Sequence, residues 1–415
     1  MKLSKKEFSW ILYDCGNSAY SIIVNTAIFP LYYSTMAVAS GLSDASATAM
    51  WNYANSFSVV LIAILSPILG AIADYKGYKM KLFNLFALMG IMTTAALGLI
   101  PGHLSIVLLI CYVITRIGFN GSIVFYDAFL IDVTEDKRMD NVSSIGFAWG
   151  YIASVLPFIL CIYLIQFSGL DVTIMTKISF ILTAIWWFVF TCPLMKNVKQ
   201  VHYIPKEPQP IRKSFQRLKE TLVHIKDYKV VAFFLVAYFF YIDGVDTVIT
   251  NAAVFGNMIG LNSTGLMLAL LLTQVVAFPS AIIYGKLAEK FSAKRMILVG
   301  IITYFIVCIF AYFMENLFHF IILAILIASA QGGIQALSRS YFAKIIPKSK
   351  AAEFFGFYNI FGKFASFFGP LLIAMTMQLT GNIRISVMSL IILFGLGLIL
   401  FLKLPDDENL VQIKE

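Results

Sequence analysis

Eight ionisable side chains sit inside otherwise apolar stretches of this 415-residue chain: Asp14, Arg116, Asp127, Asp132, Asp243, Asp246, Arg339 and Lys363. A charge in hydrocarbon costs at least ~2.5–3.5 kcal/mol on insertion scales, so each one needs a partner, a bound solute or a proton. Their spacing is helical. Asp243, Asp246, Thr247, Thr250 and Asn251 fall at i, i+3, i+4, i+7 and i+8, which is one helix face. Four further sets line up in the same way. They are Asp14, Asn17, Ser18, Ser21 and Asn25; Arg116, Asn120 and Asp127; Gln331, Gln335, Ser338 and Arg339; and Asn359, Lys363 and Ser366. Acids (Asp14, Asp243, Asp246) together with bases (Arg116, Lys363) suit a solute that carries an ammonium and a carboxylate. Two neighbouring carboxylates in a low dielectric share their charge poorly, which is the chemistry of a proton carrier.

The elements that must hold these side chains are membrane helices. The chain is 60% hydrophobic, 13% charged and has a mean hydropathy of +0.85; no soluble domain has that composition. Twelve spans of about 20 residues or more fit, the number a bilayer requires: 8–37, 48–73, 81–101, 104–133, 142–166, 174–195, 229–256, 264–288, 295–314, 317–344, 352–378 and 384–404. The first is too long for the core of a cleaved signal peptide. Four of the five charged spans are one, four, seven and ten, which implies units of three helices, with the uncharged third, sixth, ninth and twelfth facing lipid. The expected fold is an all-α membrane protein of twelve transmembrane helices in two pseudo-symmetric six-helix bundles, 1–195 and 229–415. They are joined by a linker, 196–228, whose stretch around Ile211–Lys226 could lie on the membrane surface. Of the 31 Lys and Arg, 26 fall on one side and two on the other, so the positive-inside rule puts both termini in the cytoplasm. The net charge of +9 then reflects topology and inner-leaflet lipid rather than nucleic acid. The five cysteines and four histidines are scattered, which suggests no disulfide, metal or cofactor site, and no nucleotide-binding sequence is present. A secondary transporter, not an enzyme, is the class left.

A short phrase repeats about half a chain apart. Gly70-Ala71-Ile72-Ala73-Asp74 leads into Gly77 and Lys79, and Gly285-Lys286-Leu287-Ala288-Glu289 leads into Lys294 and Arg295. Two similar halves are the plan of a secondary transporter. Gly70, Asp74, Gly77, Lys79 and Glu289 are candidates for gating or structural contacts at helix ends. Asp132 and Arg339 are candidates for gate residues or for charges snorkelling to the interface. An offset of 212 lays Asp127 on Arg339 and Asp132 on Lys344, an acid in one half against a base in the other.

The phrase at Gly70 resembles the signature of the major facilitator superfamily, and the one at Gly285 its second copy, with Ser292 where the pattern has glycine and Glu289 where it has aspartate. Longer stretches resemble the vacuole-effluxer branch of that superfamily, the family of the autophagy-related vacuolar amino-acid effluxer and its bacterial relatives. These are Trp10–Asp14 with Asn17-Ser18-Ala19-Tyr20, Phe125–Leu130, Ser143–Tyr151, Asp243-Gly244-Val245, Gln331–Tyr341, and Phe355–Asn359 with Gly362-Lys363. The resemblance implies a central cavity lined by spans one, four, seven and ten, with Tyr20 among its residues, and transport of an amino-acid-like solute. Proton coupling by alternating access is expected, as is a monomer with a small-molecule solute and the bilayer as partners. Compact loops point to a bacterial plasma membrane rather than a vacuole. The rival reading of the same fold is a flippase for lipids or lipid-linked sugars. Lys363 needs an anion: Asp14, Asp243 or the solute.

Overall fold

The computed structural model describes residues 2–206, 208–223, 225–261, 263–365 and 367–406, and these are helical almost throughout. Twelve spans among them are long and apolar enough to cross a membrane. They are Lys5–Ala39, Asp44–Ala73, Tyr78–Leu97, Ser105–Ala128, Asp136–Phe167, Val172–Asn197, Lys229–Ala252, Leu271–Phe291, Ala293–Tyr312, Leu317–Ile345, Lys348–Thr380 and Ile383–Leu402. Helices suit this setting because they satisfy every backbone N–H and C=O internally.

Three spans depart from a plain helix in ways the apolar pattern did not announce. Span one widens to a π-helix over Ser21–Ala27. Span eleven is two helices, Ala351–Phe364 and Phe368–Thr380. Span twelve is likewise two, Ile383–Met388 and Ile391–Leu402. The linker carries a helix at Pro210–Val223.

The chain forms two compact units that do not follow the sequence halves strictly. Unit 1 holds Met1–Thr134, Trp149–Phe215 and the short stretch Ser349–Gly356; unit 2 holds Glu135–Ala148, Gln216–Lys348 and the chain from Phe357 onward. Each unit is knit by aromatic side chains. In unit 1, Trp10 stacks on Tyr126 at 4.5 Å and donates from Nε1 to the Tyr126 carbonyl at 2.8 Å. In unit 2, Phe234 lies against Tyr341 and Phe342 at 5.4 and 5.5 Å. Such ring pairs add about 0.5–1.5 kcal/mol to the burial of their area.

One hydrogen bond is repeated in both units and fixes their register. Tyr13 OH meets Ser122 Oγ at 2.6 Å between spans one and four, and Tyr241 OH meets Ser338 Oγ at 2.6 Å between spans seven and ten. Ser122 and Ser338 are 216 apart, four more than the offset read from the sequence. Asp127 is therefore not the counterpart of Arg339. A slip of four residues is close to one helical turn and preserves the apolar face, which is why the pattern alone tolerated it.

Candidate functional site

In unit 1 the polar side chains of spans one, two and four form two hydrogen-bonded groups. Asp14 accepts from Tyr126 OH at 2.6 Å and from Asn17 Nδ2 at 3.4 Å. About three turns further along span one, Tyr112 OH lies 2.9 Å from Asn25 Oδ1 and 3.0 Å from Asn55 Oδ1. Asn25 sits in the π-helical stretch, which adds a residue to the turn and redirects the stripe that begins at Asp14. Arg116 Nη1 donates to Asn55 Oδ1 and, at 3.0 Å, to Tyr112 OH. Both partners are neutral. Arg116 Nε is buried without a partner, and no carboxylate lies within ion-pair distance of Arg116 among the described residues. Asn120, one turn on, is buried and makes no side-chain hydrogen bond to a described residue. Tyr20 packs on Phe119 and Trp187 at 4.7 and 5.0 Å with its hydroxyl unbonded. Asp127 is buried and engaged.

In unit 2, Asp243 is fully buried and accepts the Gly369 N–H on both oxygens, at 2.9 and 3.0 Å, with Thr247 Oγ1 at 3.3 Å. The break in span eleven makes this possible, because Phe368–Thr380 begins a new helix whose first N–H groups need an acceptor. Gly369 is required there, since a Cβ would lie 2.8 Å from Asp243 Oδ1. Asp246 feels the charges of both Lys363 and Asp243. Asp246 on span seven is thus one anion within electrostatic reach of Lys363, beside the candidates Asp14, Asp243 and the solute. Gln331 and Asn359 are buried with no side-chain hydrogen bond to a described residue, and Gln335 is engaged. Ser366 lies outside the described residues.

The repeated phrases mark two junctions built alike. The Asp74 carboxylate accepts from the backbone N–H of Ala352 (2.9 Å) and Glu353 (3.1 Å), at the first turn of span eleven, where a helix dipole favours an anion. Span two can come this close because a Cβ on Gly356 would lie 2.6 Å from Pro67 Cα, and Gly70 is as tightly covered by Ala352. Asp74 is completely buried, and burial pushes its carboxyl up to about 7 against the pull of Lys79 and the two N–H groups. In the second junction, Glu289 accepts from Asn141 Nδ2 at 2.8 Å, and Gly285 packs on Ser144.

Lys79 makes its own bond elsewhere. Its ammonium pairs with Asp132 at 2.8 Å, both side chains fully buried, and so holds spans three and four of one unit together. Burial would raise the Asp132 carboxyl, but Lys79 and the hydrogen bonds from His202 outweigh it and hold it below the ordinary value. Arg339 is 3% exposed; it donates from Nε to Ser143 Oγ at 3.0 Å and from Nη2 to the Ser143 carbonyl at 3.1 Å, over the Phe147 ring. Neither Asp132 nor Arg339 snorkels, so that alternative falls. Asp140, in the first turn of Met139–Gln166, accepts from Ser340 Oγ at 2.6 Å and pairs with Lys344 at 2.5 Å. Gly77 turns the chain between spans two and three at φ 78°. Ser292, at the matching turn, adopts φ 83°, a conformation suited to the glycine it replaces in the signature.

The family model described as "Vacuole effluxer Atg22 like" matches residues 4–413. A protein of Bacillus subtilis described as the uncharacterized MFS-type transporter YxiO is 52% identical over 413 residues, covering 98% of this chain and 96% of that one. Autophagy-related protein 22 of Eremothecium gossypii is 22% identical over 479 residues, covering 99% and 93%. Among solved structures, the proton:xylose symporter XylE bound to 6-bromo-6-deoxy-D-glucose superposes with a TM-score of 0.75 at 13% identity, covering 99% of this chain and 98% of that one. The human organic anion transporter MFSD10 does so with a TM-score of 0.69 at 12% identity, covering 97% and 99%. At these identities the superpositions bear on the fold alone.

Proposed function

The chain belongs to the Atg22-like vacuole-effluxer family of the major facilitator superfamily, and from this premise we propose that it moves a small zwitterionic, amino-acid-like solute across the bacterial plasma membrane by alternating access, coupled to protons. It is a twelve-span transporter rather than an enzyme. The observation that carries the solute class is Arg116: a cation within span four, held by two neutral groups, with Nε unspent. A buried polar group without a partner costs free energy, and a solute carboxylate would supply the missing acceptor. Asn120 in unit 1, and Gln331 and Asn359 in unit 2, also have hydrogen-bonding capacity that no described residue uses. Asp14, on span one of the same unit, supports an ammonium subsite.

The proton reading rests on the acids of span seven. Asp243 holds a helix end by accepting N–H bonds, and Asp246 lies within electrostatic reach of Asp243 and Lys363. Protonating Asp243 would weaken its hold on Gly369 and free the second helix of span eleven to shift. Division into six-helix halves at a cytoplasmic linker, 196–228, with both termini cytoplasmic and a monomeric working unit, completes the proposal.

The test is uptake into vesicles reconstituted with purified protein, with and without a pH gradient, across amino acids, sugars and labelled lipids. Gradient-driven accumulation of a zwitterion is expected. Arg116→Gln should lose tenfold or more in apparent affinity for it while staying folded. Asp243→Asn should lose accumulation and keep exchange. Lipid movement with no amino-acid transport would select the flippase instead.

A further inference from the structure

The linker is more than a tether where it leaves span six. Residues 199–204 lie along the turn between spans two and three and are fastened to it at both ends. Gln200 Oε1 accepts from the Gly77 N–H at 2.9 Å, while Nε2 lies 3.0 Å from the Ala73 carbonyl and 3.4 Å from that of Asp74. Ile204 closes the far end in a two-residue β-bridge with Tyr75. Its N–H donates to the Asp74 carbonyl at 2.8 Å, and its carbonyl accepts from the Lys76 N–H at 3.1 Å. Between these points Asp132 Oδ1 accepts from the N–H groups of Val201 (2.9 Å) and His202 (2.8 Å), with His202 Nδ1 at 3.3 Å. The other Asp132 oxygen takes Lys79.

Two of these bonds end on the residue whose side chain binds the start of span eleven, and others flank it at Ala73, Lys76 and Gly77. Asp74 is gripped through its backbone carbonyl by the linker and presents its carboxylate to Ala352 and Glu353. The carbonyls of Ala73 and Asp74 end span two and have no helical partner of their own, so the linker supplies the donors that a helix C-terminus lacks. A turn with free carbonyls would sample other directions for the Asp74 side chain. The fastened turn has one.

We propose that residues 199–204 are a strap, and that Gln200 and the Ile204 N–H are positioning groups for the Asp74 junction, setting how long span eleven stays docked on span two. The strap is the first part of the covalent connection between the sequence halves, so a pull on the rest of the linker would be felt at this junction. The inference rests on the alternating-access reading only in calling that junction a gate; the strap itself is measurable without transport.

The test uses full-length protein in detergent with its five cysteines replaced, carrying a single reporter at Ala352→Cys, a position that is fully buried. Gln200→Ala removes the side-chain clasp, and Ile204→Pro removes one backbone donor while keeping Gln200. Each should raise the rate at which a maleimide labels Ala352→Cys severalfold. A control reporter at the buried Ala87→Cys in span three should keep its parental rate. Parental labelling at Ala352→Cys in both strap variants overturns the proposal. So does faster labelling that rises equally at Ala87→Cys, since that is general loosening. Normal labelling shifts with no solute transported by any variant would fault the function and leave the strap standing.

Discussion

Asp74 places a titration at the junction it makes. Burial lifts its carboxyl from 3.8 to about 7 when it is docked on Ala352 and Glu353. Released to water it returns to the lower value, so the docked form binds the proton more tightly. The sign follows from linkage: protonation favours docking, the contribution is fully present below about 3.8, and it is lost as pH rises through about 7. Hydrogen exchange at the Ala352 and Glu353 amides, corrected for its intrinsic pH dependence, should lose protection across that window. In Asp74→Asn the profile should be flat; a parental slope in that variant would assign the titration to another group. The electrostatic coupling of Lys363 to Asp246 makes a second expectation at this scale. Removing one of two opposite charges in apolar spans leaves the other less compensated. Lys363→Met should therefore lower the melting temperature by more than the double variant with Asp246→Asn, a coupling of about 0.5–3 kcal/mol. Additive shifts would show that the two charges are independent.

Elements were legible in the sequence where lipid dictates them and illegible where backbone alone does. Twelve apolar runs announce twelve spans because the bilayer tolerates little else. The paired phrases at Gly70 and Gly285 announce two junctions because close helix approach demands glycine and a helix end rewards an acid. The π-helical turn at Ser21–Ala27, the break in span eleven and the strap at 199–204 leave no such mark. Their bonds run through N–H and C=O groups that every residue has, and Gln200 in a loop reads like any polar side chain. Asp14 and Arg116 were visible as costly residues; that Asp14 meets Tyr126 and Arg116 meets Asn55 needed the fold. Ser292 shows a readable anomaly with a physical consequence. Its φ of 83° and ψ of 148° lie in a region nearly confined to glycine, at a cost of about 1–3 kcal/mol. Its side-chain cap on Arg295 N is worth only a few tenths over glycine. Ser292→Gly should thus stabilise the protein by about 1 kcal/mol, seen as a small rise in melting temperature. A fall would mean that the cap outweighs the strain.

For the whole molecule, the distribution of Lys and Arg is the strongest constraint on orientation. In intact cells a membrane-impermeant thiol reagent should label Ser43→Cys, at an exposed turn between spans one and two, and miss Gln209→Cys in the linker. Labelling at Gln209→Cys would reverse the assignment. The polar stripes of spans one, four, seven and ten, where the proposed solute site lies, were legible in the sequence, because apolar helices carry few polar residues without a use. Which solute fills it was not, because affinity depends on distances between groups that the sequence leaves open.

The exchange of short segments between the two units has a consequence for inheritance. Unit 1 uses residues 349–356 from the second half of the sequence, and unit 2 uses 135–148 from the first. If the halves descend from a duplicated ancestor, neither copy now encodes a complete unit, and each has become a template the other must match. Chimaeras that join halves from two relatives should fail at Asp74–Ala352 and Asn141–Glu289 unless those partners are carried across together. A gene cut within the linker should yield two fragments that accumulate only when made in the same cell. A single fragment that melts as cooperatively as the intact protein would show that the borrowed segments are dispensable.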